Sequence, residues 1–314
     1  MDDPAGLAVS VRGVAKRFGN LLAVDQLSFE VKRGEIFGLV GPDGAGKTTS
    51  MRMLASVMKP DTGSICIDGV DVVKQPDLAK RHVSYMPQRF GLYEDLTVDE
   101  NIRFFADLFE IPDIEWRERS KLLLAASGMA PFGGRLAGQL SGGMKQKLGL
   151  SCALVHAPRV LLLDEPTTGV DPVSRREFWQ ILYSLRAQGV AMVISTAYLD
   201  EAERCDRLAL LNGGRVMYCD TPQRLKAGMP GTILRVTAND PRRLLDPLNS
   251  LEGVSGVMLV GDGLHLHVDD QAHCLPRILN ALAVAGLAED AVRPVEPTIE
   301  DLFVALLERK QVLP

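Results

Sequence analysis

The stretch Gly41-Pro42-Asp43-Gly44-Ala45-Gly46-Lys47-Thr48, called the phosphate loop below, matches the pattern G-x-x-x-x-G-K-[ST] at every position. The apolar run at residues 36–40 predicts a buried strand before it, and residues 49–54 predict a helix after it. Glycines let the backbone wrap closely around an anion, and a helix N-terminus adds partial positive charge there. A chance glycine-rich turn would match in roughly one chain per hundred of this length. The flanking strand and helix therefore favour a nucleoside triphosphate site.

Individual residues around the loop carry specific expectations. We expect the ammonium of Lys47 to reach the β- and γ-phosphates and the hydroxyl of Thr48 to bind Mg²⁺. Phe18 precedes the loop and offers a flat ring that can stack on a nucleobase. An aromatic residue at the end of a strand is more often part of the core, so Phe18 alone is a weak indication.

Two carboxylates, Asp164 and Glu165, follow an apolar run further along the chain. Such a run predicts a buried parallel strand, which delivers acidic groups to the carboxyl edge of a sheet. Asp164 can hold Mg²⁺ through its water shell, and Glu165 can polarise a water for attack on a phosphoryl group. Gln88 ends another predicted strand, where its amide oxygen can reach a metal or a water. In isolation these residues would be a strand end and a surface glutamine, but the phosphate loop favours the functional interpretation.

A helical segment separates Gln88 from the two carboxylates. Over residues 99–130 apolar side chains recur three and four positions apart, which predicts an inserted helical subdomain at about residues 90–155. This segment leads into Leu140-Ser141-Gly142-Gly143-Met144-Lys145-Gln146. Ser141 is a suitable helix N-cap and two glycines leave the helix N-terminus open, so this end can bind an anion.

Length and composition limit the classes of protein. With 314 residues the chain exceeds the usual single core, so we expect two domains. A net charge of -5 without a basic block argues against a nucleic-acid partner. Five scattered cysteines without a C-x-x-C pair suit a reducing compartment. The N-terminus does not look like a secretory signal, and no apolar run approaches the roughly 20 residues that span a bilayer, so we expect a partner to supply any span.

The composition changes after a linker at residues 226–231, and we predict a domain boundary between residues 228 and 229. Residues 229–314 show the order strand, helix, strand, strand, helix, strand, which predicts a small ferredoxin-like α+β domain. A last amphipathic helix is predicted to begin at Thr298, with Asp301 as its capping-box partner. His265 and His267 share a strand face, but their spacing fits no standard zinc pattern, and a solvated face explains the pair more simply.

Together these motifs resemble the ATP-binding cassette (ABC) ATPases that drive membrane transporters, over about residues 7–225. The phosphate loop, Gln88, the Leu140-Ser141-Gly142-Gly143 signature and the Asp164-Glu165 strand occur in the order of that family. Thr168-Gly169-Val170-Asp171 is similar to its D-loop, and Phe18 falls where its adenine-stacking aromatic belongs. The resemblance implies an α/β fold with a P-loop NTPase core over residues 1–228, and ATP and Mg²⁺ as cofactors. It also implies that two cassettes pair head to tail, with each ATP between one phosphate loop and the partner's signature.

The family's functional residues carry over to the matching positions of this chain. Glu165 is the expected catalytic base of an ATPase, assisted by Lys47 and Gln88. The expected Mg²⁺ ligands are Thr48, Gln88 and Asp164. The residues expected to bind ATP, in this chain's own site or through its signature, are Phe18, Gly41, Pro42, Asp43, Gly44, Ala45, Gly46, Lys47, Thr48, Thr49, Ser141, Gly142, Gly143, Gln146 and Asp171.

The stretch Met86-Pro87-Gln88-Arg89-Phe90-Gly91-Leu92-Tyr93-Glu94-Asp95-Leu96-Thr97 and the tail Pro297-Thr298-Ile299-Glu300-Asp301-Leu302-Phe303 look like drug-exporter ATPases of the ABC-2 type. The likeness is to cassettes of exporters whose two ATPase units differ in sequence. It implies an energy-coupling subunit that is peripheral at the cytoplasmic face of the cell membrane. Its expected partners are a second cassette, non-identical or a second copy, and an integral membrane permease that contacts residues 90–101.

Two positions depart from the family pattern. Where the family has its switch histidine the chain has Ala197, which cannot hydrogen-bond the γ-phosphate. Asp43 stands where a neutral asparagine is usual, and a carboxylate beside phosphates must point away or bind a cation. We therefore expect this chain's own site to bind MgATP well and to hydrolyse it poorly, unless a neighbour such as Tyr198 replaces the histidine.

Two other functions stay open as alternatives. One is a nucleotide-sensing clamp that binds ATP and has little ATPase activity. The other is a non-transport cassette of DNA repair or translation, which the lack of a long heptad insertion or a basic arm disfavours.

Overall fold

The computed structural model describes residues 6–89 and 91–311, without the side chains of 307–311. The chain divides into two compact units, Met1–Glu201 with Cys205–Cys219 and Ala202–Arg204 with Asp220–Pro314. Residues 220–228, which precede the predicted boundary, belong to the second unit. Within the described residues, no helix combines the length and the apolar character needed to cross a bilayer.

The elements of the first unit include the strand and the helix that were predicted on either side of the phosphate loop. The strands are β1 (Leu7–Phe18), β2 (Leu21–Lys32), β3 (Ile36–Val40), β4 (Thr62–Ile67), β5 (Val70–Asp71), β6 (Val83–Met86), β7 (Val160–Asp164), β8 (Ala191–Thr196), β9 (Arg207–Asn212) and β10 (Arg215–Asp220). The helices are α1 (Lys47–Leu54), α2 (Pro76–His82), α3 (Val98–Leu108), α4 (Asp113–Ala126), α5 (Gly142–Leu154), α6 (Pro172–Ala187) and α7 (Leu199–Ala202).

A six-stranded sheet in the order β10-β9-β3-β8-β7-β6 underlies the phosphate loop. Strands β9, β3, β8, β7 and β6 are parallel. Strands β3, β7 and β8 are buried over their whole length, as continuous apolar runs predict for a parallel sheet that is covered on both faces. The register pairs Val40 with Thr196 and Asp164 with Ser195. The carboxyl ends of these strands therefore bring the phosphate loop and the predicted carboxylates to one edge.

A second sheet, in the order β2-β1-β4-β5, is antiparallel and shares an apolar core with α1. Phe29 of β2 stacks on Phe37 of β3, with ring centroids 4.8 Å apart. The turn at Gly19 and Asn20 joins β1 to β2 and leaves Phe18 at the strand end, as predicted.

The inserted segment is helical but is not one continuous helix. Helix α3 begins after Thr97, which forms a capping box with Glu100. The helical pattern predicted over residues 99–130 is interrupted between α3 and α4, where Glu110 has a φ of 55° and Pro112 precedes α4. A left-handed residue and a proline each interrupt a helix, and apolar periodicity does not reveal either. Helices α3, α4 and α5 share a core that includes Ile102, Trp116 and Leu148.

The second unit is an antiparallel sheet with helices. Its strands are β11 (Thr232–Thr237), β12 (Val254–Val260), β13 (Gly263–Val268) and β14 (Val292–Val295), and its helices are α8 (Pro222–Ala227), α9 (Leu245–Asn249), α10 (Gln271–Val284) and α11 (Ile299–Gln311). The sheet order is β12-β13-β11-β14, which confirms the predicted ferredoxin-like arrangement.

The predicted solvated face at His265 and His267 is wrong, because both side chains are buried, with 6% and 8% exposed. His265 Nδ1 lies 2.9 Å from Asp301 Oδ1. The backbone N–H of Thr298 donates to Asp301, and the N–H of Asp301 donates to the hydroxyl of Thr298, so the predicted capping box is confirmed. His267 Nδ1 lies 3.0 Å from Ser255 Oγ. Alternation along a strand could not show that α11 contacts this face of the sheet.

Candidate nucleotide-binding site

The shape of the phosphate loop depends on Gly46. This residue has a φ of 96°, and a Cβ there would lie 2.4 Å from the carbonyl oxygen of Ala23. Glycine alone satisfies both constraints, because it has no Cβ and adopts positive φ freely. Gly46 is the residue before α1, so the partial positive charge of that helix N-terminus lies at the loop.

A pocket of about 430 Å³ lies beside the loop, within the size range of small-ligand sites. Phe18 is 45% exposed, so it is not a core residue, and the ammonium of Lys16 lies 5.8 Å from its ring centroid. The ring is therefore placed at the wall of the pocket, where stacking on a base was predicted. The lining residues are Phe18, Leu21, Ala23, Asp43, Gly44, Ala45, Gly46, Lys47, Thr48, Thr49, Gln88 and Glu165.

Lys47 is buried at the base of the loop and holds it together. Its ammonium donates to the carbonyl oxygens of Gly41 at 2.8 Å and Pro42 at 3.2 Å. The same nitrogen lies 3.2 Å from Glu165 Oε1. The predicted cation thus stands between the phosphate loop and the predicted base, where it attracts an anion entering the pocket.

Asp164 is buried at the carboxyl end of β7 and accepts hydrogen bonds from several elements. Thr48 Oγ1 donates to its Oδ1 at 3.2 Å, and Ser195 Oγ donates to the same oxygen. Tyr85 of β6 donates to Oδ2 at 3.1 Å. Burial, together with the charge of Asp164, raises the pKa of Tyr85 far above its usual value, so the phenol stays protonated.

This donor set fits a magnesium ion that arrives with a phosphate. Within the described residues no group of three or more His, Cys, Asp and Glu side chains could hold a metal by itself. Magnesium is usually bound by one or two carboxylates or hydroxyls together with substrate phosphates. Thr48 and Asp164 supply such oxygens beside the phosphate loop, and the amide nitrogen of Gln88 donates to Glu165 at 2.9 Å, which leaves the amide oxygen for a cation.

Glu165 is held in a defined position by its backbone and by its side chain. Its φ of 49° is in the left-handed region, which is uncommon for a residue with a side chain. Its N–H donates to the carbonyl oxygen of Ser195 at 3.0 Å and to the hydroxyl of Ser195 at 3.1 Å. Gln88 and Lys47 contact its two carboxylate oxygens. The carboxylate lines the pocket next to the phosphate loop, so it can accept a proton from a water that attacks a phosphoryl group there.

The predicted signature forms a second cluster. Ser141 caps α5 and accepts from the N–H of Met144 at 3.3 Å. A Cβ at Gly143 would lie 2.4 Å from Ser174 Oγ, so α5 and α6 approach closely at this glycine. Asp171 caps α6, and the N–H groups of Ser174 and Val173 hold the pKa of this carboxyl below its usual value.

The structure brings most of the predicted residues together, but it keeps this second cluster apart. The pocket lining contains the loop residues 43–49, Phe18, Gln88 and Glu165. Within the described residues, the lining includes none of the signature and D-loop residues that were predicted to contact ATP, which are Ser141, Gly142, Gly143, Gln146 and Asp171.

The two departures from the family pattern are both at the surface. Asp43 is exposed and lines the pocket. Ala197 is exposed just after β8. The ring of the next residue, Tyr198, lies over the guanidinium of Arg175, 4.6 Å from its carbon, so this side chain packs on α6.

Sequence reasoning missed four residues around the site. Tyr85 and Ser195 contact Asp164, Thr196 accepts a hydrogen bond from Gly41 through its carbonyl oxygen, and Glu201 is fully buried. Parallel strand register could have indicated Ser195, since it is paired with Asp164. No sequence signal marked Glu201, because an acidic residue in a short helix is usually exposed.

Comparison with known proteins gives the same family as the motifs that form this site. The family model described as ABC transporter matches residues 24–168. The probable multidrug ABC transporter ATP-binding protein YbhF of Escherichia coli (strain K12) is 43% identical over 303 residues, which cover 95% of this chain and 52% of that protein. The chain therefore spans about half the length of this relative.

In two further comparisons the match covers more than nine tenths of the known protein. The daunorubicin resistance ATP-binding protein DrrA3 of Streptomyces coeruleorubidus is 34% identical over 305 residues, which cover 96% of this chain and 96% of that protein. A solved structure of an ATP binding subunit of an ABC transporter has a TM-score of 0.64 at 29% identity, covering 70% of this chain and 92% of that chain. The chain therefore belongs to the ATP-binding proteins of the ABC transporter family.

Proposed function

We propose that this chain is the ATP-binding, energy-coupling subunit of an ABC-2-type membrane exporter of drugs or other small molecules. The observation that carries the proposal is the convergence of Lys47, Glu165 and Gln88 on one pocket beside the phosphate loop. The similarity to a multidrug and to a daunorubicin resistance ATP-binding protein supports the export of small molecules. We propose no nucleic-acid partner for this chain.

Different residues at the pocket bind ATP and promote its hydrolysis. The phosphate loop and the N-terminus of α1 bind the phosphates, and Phe18 stacks on the adenine. Glu165 takes a proton from the attacking water, and Gln88 orients the Glu165 carboxylate through a 2.9 Å hydrogen bond. Lys47 stabilises the charge of the transferred phosphoryl group. Thr48, Gln88 and Asp164 would hold a Mg²⁺ ion that arrives with ATP, and the ion would supply charge neutralisation of the phosphates.

The separate position of the signature supports a two-cassette assembly. Ser141, Gly142 and Gly143 do not line the pocket, so their helix N-terminus is available to the ATP held by another cassette. That cassette is a non-identical unit or a second copy of this chain. Each site would then be completed by residues of the other cassette.

An integral membrane permease is the other proposed partner, and it places the chain at the cytoplasmic face of the membrane. The proposed contact is residues 90–101, of which Phe90 lies outside the described residues. The side chain of Asn101 is buried and fixes this segment, since it donates to the carbonyl oxygens of Tyr93, Leu96 and Thr97 and accepts from the N–H of Tyr93. The ring of Tyr93 is 48% exposed on this fixed segment, which suits a docking surface.

The chain's own site is proposed to hydrolyse ATP slowly because of Ala197. Loss of one preorganised hydrogen-bond group from an active site typically costs about 10²–10³-fold in rate. The stacking of Tyr198 on Arg175 supports this proposal over replacement of the histidine by Tyr198, because it fixes that ring on α6. Ala197, with Tyr198 held on α6, also favours the second candidate function, a nucleotide-sensing clamp that binds ATP and hydrolyses it little.

ATP binding and hydrolysis by the purified chain test the proposal and separate the two candidates. We expect tight MgATP binding, slow turnover, and a rate increase of at least 10-fold for Ala197→His. Glu165→Gln should abolish turnover while retaining binding, and Tyr198→Phe, which keeps the ring on Arg175, is the matched control and should change little. Ordinary transporter turnover by the unaltered chain, with no gain from Ala197→His, would contradict the weakened site. Co-purification of the chain with a membrane protein supports the exporter. Strong ATP binding by a chain that co-purifies with no membrane protein supports the clamp.

A further inference from the structure

Glu201 is a fully buried carboxylate that no role described above uses. Its side chain has 0% exposure. Its Oε1 accepts hydrogen bonds from Thr167 Oγ1 at 2.6 Å and from Trp179 Nε1 at 3.4 Å, and its Oε2 accepts from Thr196 Oγ1 at 3.1 Å. The guanidinium nitrogen Nε of Arg175 lies 3.5 Å from Oε1. A buried carboxylate is stable only with such partners, so each partner is held where the carboxylate requires it.

The contact with Thr167 leads to the predicted base. Thr168, the next residue, donates its N–H to the carbonyl oxygen of Glu165 at 3.2 Å, and its hydroxyl lies 3.5 Å from Glu165 Oε2. The N–H of Val170 donates to the carbonyl oxygen of Thr167 at 3.1 Å. The position of Thr167 therefore determines the turn that follows Glu165 and leads into the D-loop.

The contact with Thr196 leads to the phosphate loop and to the switch position. The carbonyl oxygen of Thr196 accepts from the N–H of Gly41 at 3.3 Å. Its hydroxyl accepts from the N–H of Tyr198 at 2.9 Å while it donates to Glu201. Thr196 thus fixes the first residue of the phosphate loop and the backbone of Tyr198, and Glu201 in turn holds Thr196, so both neighbours of Ala197 are held.

A simpler role would be to neutralise Arg175 and so to anchor α6. Asp200 already lies 3.6 Å from the same guanidinium and is 63% exposed, so Arg175 has an acidic partner without burying a second one. Neutralisation also gives no reason for two threonine hydroxyls from different strand ends to meet on one carboxylate. The arrangement is better explained by a connection between the two strand ends.

We propose that Glu201 is a positioning residue that couples the segment after Glu165 to the segment around Ala197 and to the start of the phosphate loop. A displacement of either strand end is transmitted to the other through the shared carboxylate. In a chain without the switch histidine, this coupling links the switch segment to the base. Its consequence for hydrolysis depends on the proposed function, whereas the coupling itself does not.

Amide hydrogen exchange of the full chain without nucleotide tests the coupling. Thr167→Val and Thr196→Val each remove one hydroxyl and keep the shape of the side chain. We expect Thr167→Val to raise exchange in residues 196–201 by about fivefold, and Thr196→Val to do the same in residues 165–171, as loss of one hydrogen bond implies. In a Glu201→Gln background the further effect of either variant should fall below about twofold. Asp200→Asn is the matched control and should leave both segments unchanged.

Exchange in strands β1 and β4 of the first unit, which lie in the other sheet, serves as an internal reference for general loss of stability in that unit. The proposal is overturned if each valine variant changes only its own segment, or if Glu201→Gln leaves the cross effects intact. If Glu201→Gln does not fold, the two single-hydroxyl variants still decide the question.

A kinetic measurement then connects the coupling to the proposed ATPase. With the chain in its assembled complex, Thr167→Val should lower kcat by about tenfold and change KM for ATP by less than about twofold, because the effect is on the base rather than on nucleotide binding. A fall in kcat with no cross effect on exchange, or equal changes in kcat and KM, would count against Glu201 as the positioning residue. If the complex binds no ATP, the proposed function fails while the exchange result still stands or falls by itself.

Discussion

The stability of the first unit should depend on pH through His156. Its imidazole stacks on Phe109 with ring centroids 3.8 Å apart, and burial, aided by the nearby charge of Arg119, lowers the pKa of His156 to about 4 from 6.5. The unfolded chain binds this proton near pH 6.5 and the folded chain only near pH 4, so the unfolded state gains protons first as the pH falls. The contribution of His156 to stability is therefore complete above pH 6.5 and is lost as the pH falls from 6.5 to 4.

The two pKa values give the size of the effect. Between pH 7 and pH 5 a fully buried group with these values would lower the free energy of unfolding by about 2 kcal/mol. Although both ring nitrogens are buried, the residue as a whole is partly exposed, which reduces the expected loss to about 1–2 kcal/mol. His156→Phe keeps an aromatic ring against Phe109 and removes the titration, so the variant should lack this part of the pH dependence.

Urea unfolding followed by tryptophan fluorescence measures the effect in the first unit alone. Both tryptophans of the chain, Trp116 and Trp179, are buried there. The quantity to compare is the difference in unfolding free energy between the unaltered chain and His156→Phe at pH 7 and at pH 5, because other titrating groups cancel in it. His273→Gln in the second unit is the control and should behave as the unaltered chain does. An equal loss of stability in the unaltered chain and in His156→Phe would refute the reasoning.

Three further substitutions test the local geometry. Gly46→Ala places a methyl group at a φ of 96° against a carbonyl oxygen, so ATP affinity should fall by at least about tenfold in a fluorescent-nucleotide titration; unchanged binding would show that the loop tolerates a side chain. Tyr85→Phe removes one donor from the buried Asp164 and should cost about 1.5–3 kcal/mol in urea unfolding, and a cost near zero would mean that this hydrogen bond is replaced. Thr97→Ala removes the cap of α3 and should lower the free energy of unfolding by about 1 kcal/mol in the same assay. Thr97→Ser keeps a capping hydroxyl and should lose much less, so equal losses in the two variants would contradict the capping role.

The elements and motifs of the site were predictable where the signal is local. The strand before the phosphate loop, the loop itself and α1 follow from one contiguous pattern, and an apolar run with terminal carboxylates predicted β7 with Asp164 at its end. The parallel sheet then brings these ends together by topology, without any further information in the sequence. The order of elements in the second unit was likewise predictable from alternation and turn residues.

Contacts that depend on packing between distant segments were not predictable. Tyr85 reaches Asp164 because β6 and β7 are adjacent, and Glu201 is buried because Thr167, Thr196 and Arg175 surround it. Periodicity along one segment carries no information about such neighbours. The same limitation explains His265, whose strand alternation gives a face but not the fact that α11 contacts it.

The 3.2 Å ion pair between Lys47 and Glu165 makes the two groups counterions of one another. A phosphate that binds to Lys47 must therefore exchange with a carboxylate of this chain, and part of its binding free energy is used in that exchange. Neutralising Glu165 removes the competing carboxylate as well as the proposed base. Glu165→Gln should for this reason hold ATP more tightly than the unaltered chain does, so the strength of nucleotide binding and the capacity for hydrolysis are opposed at a single side chain.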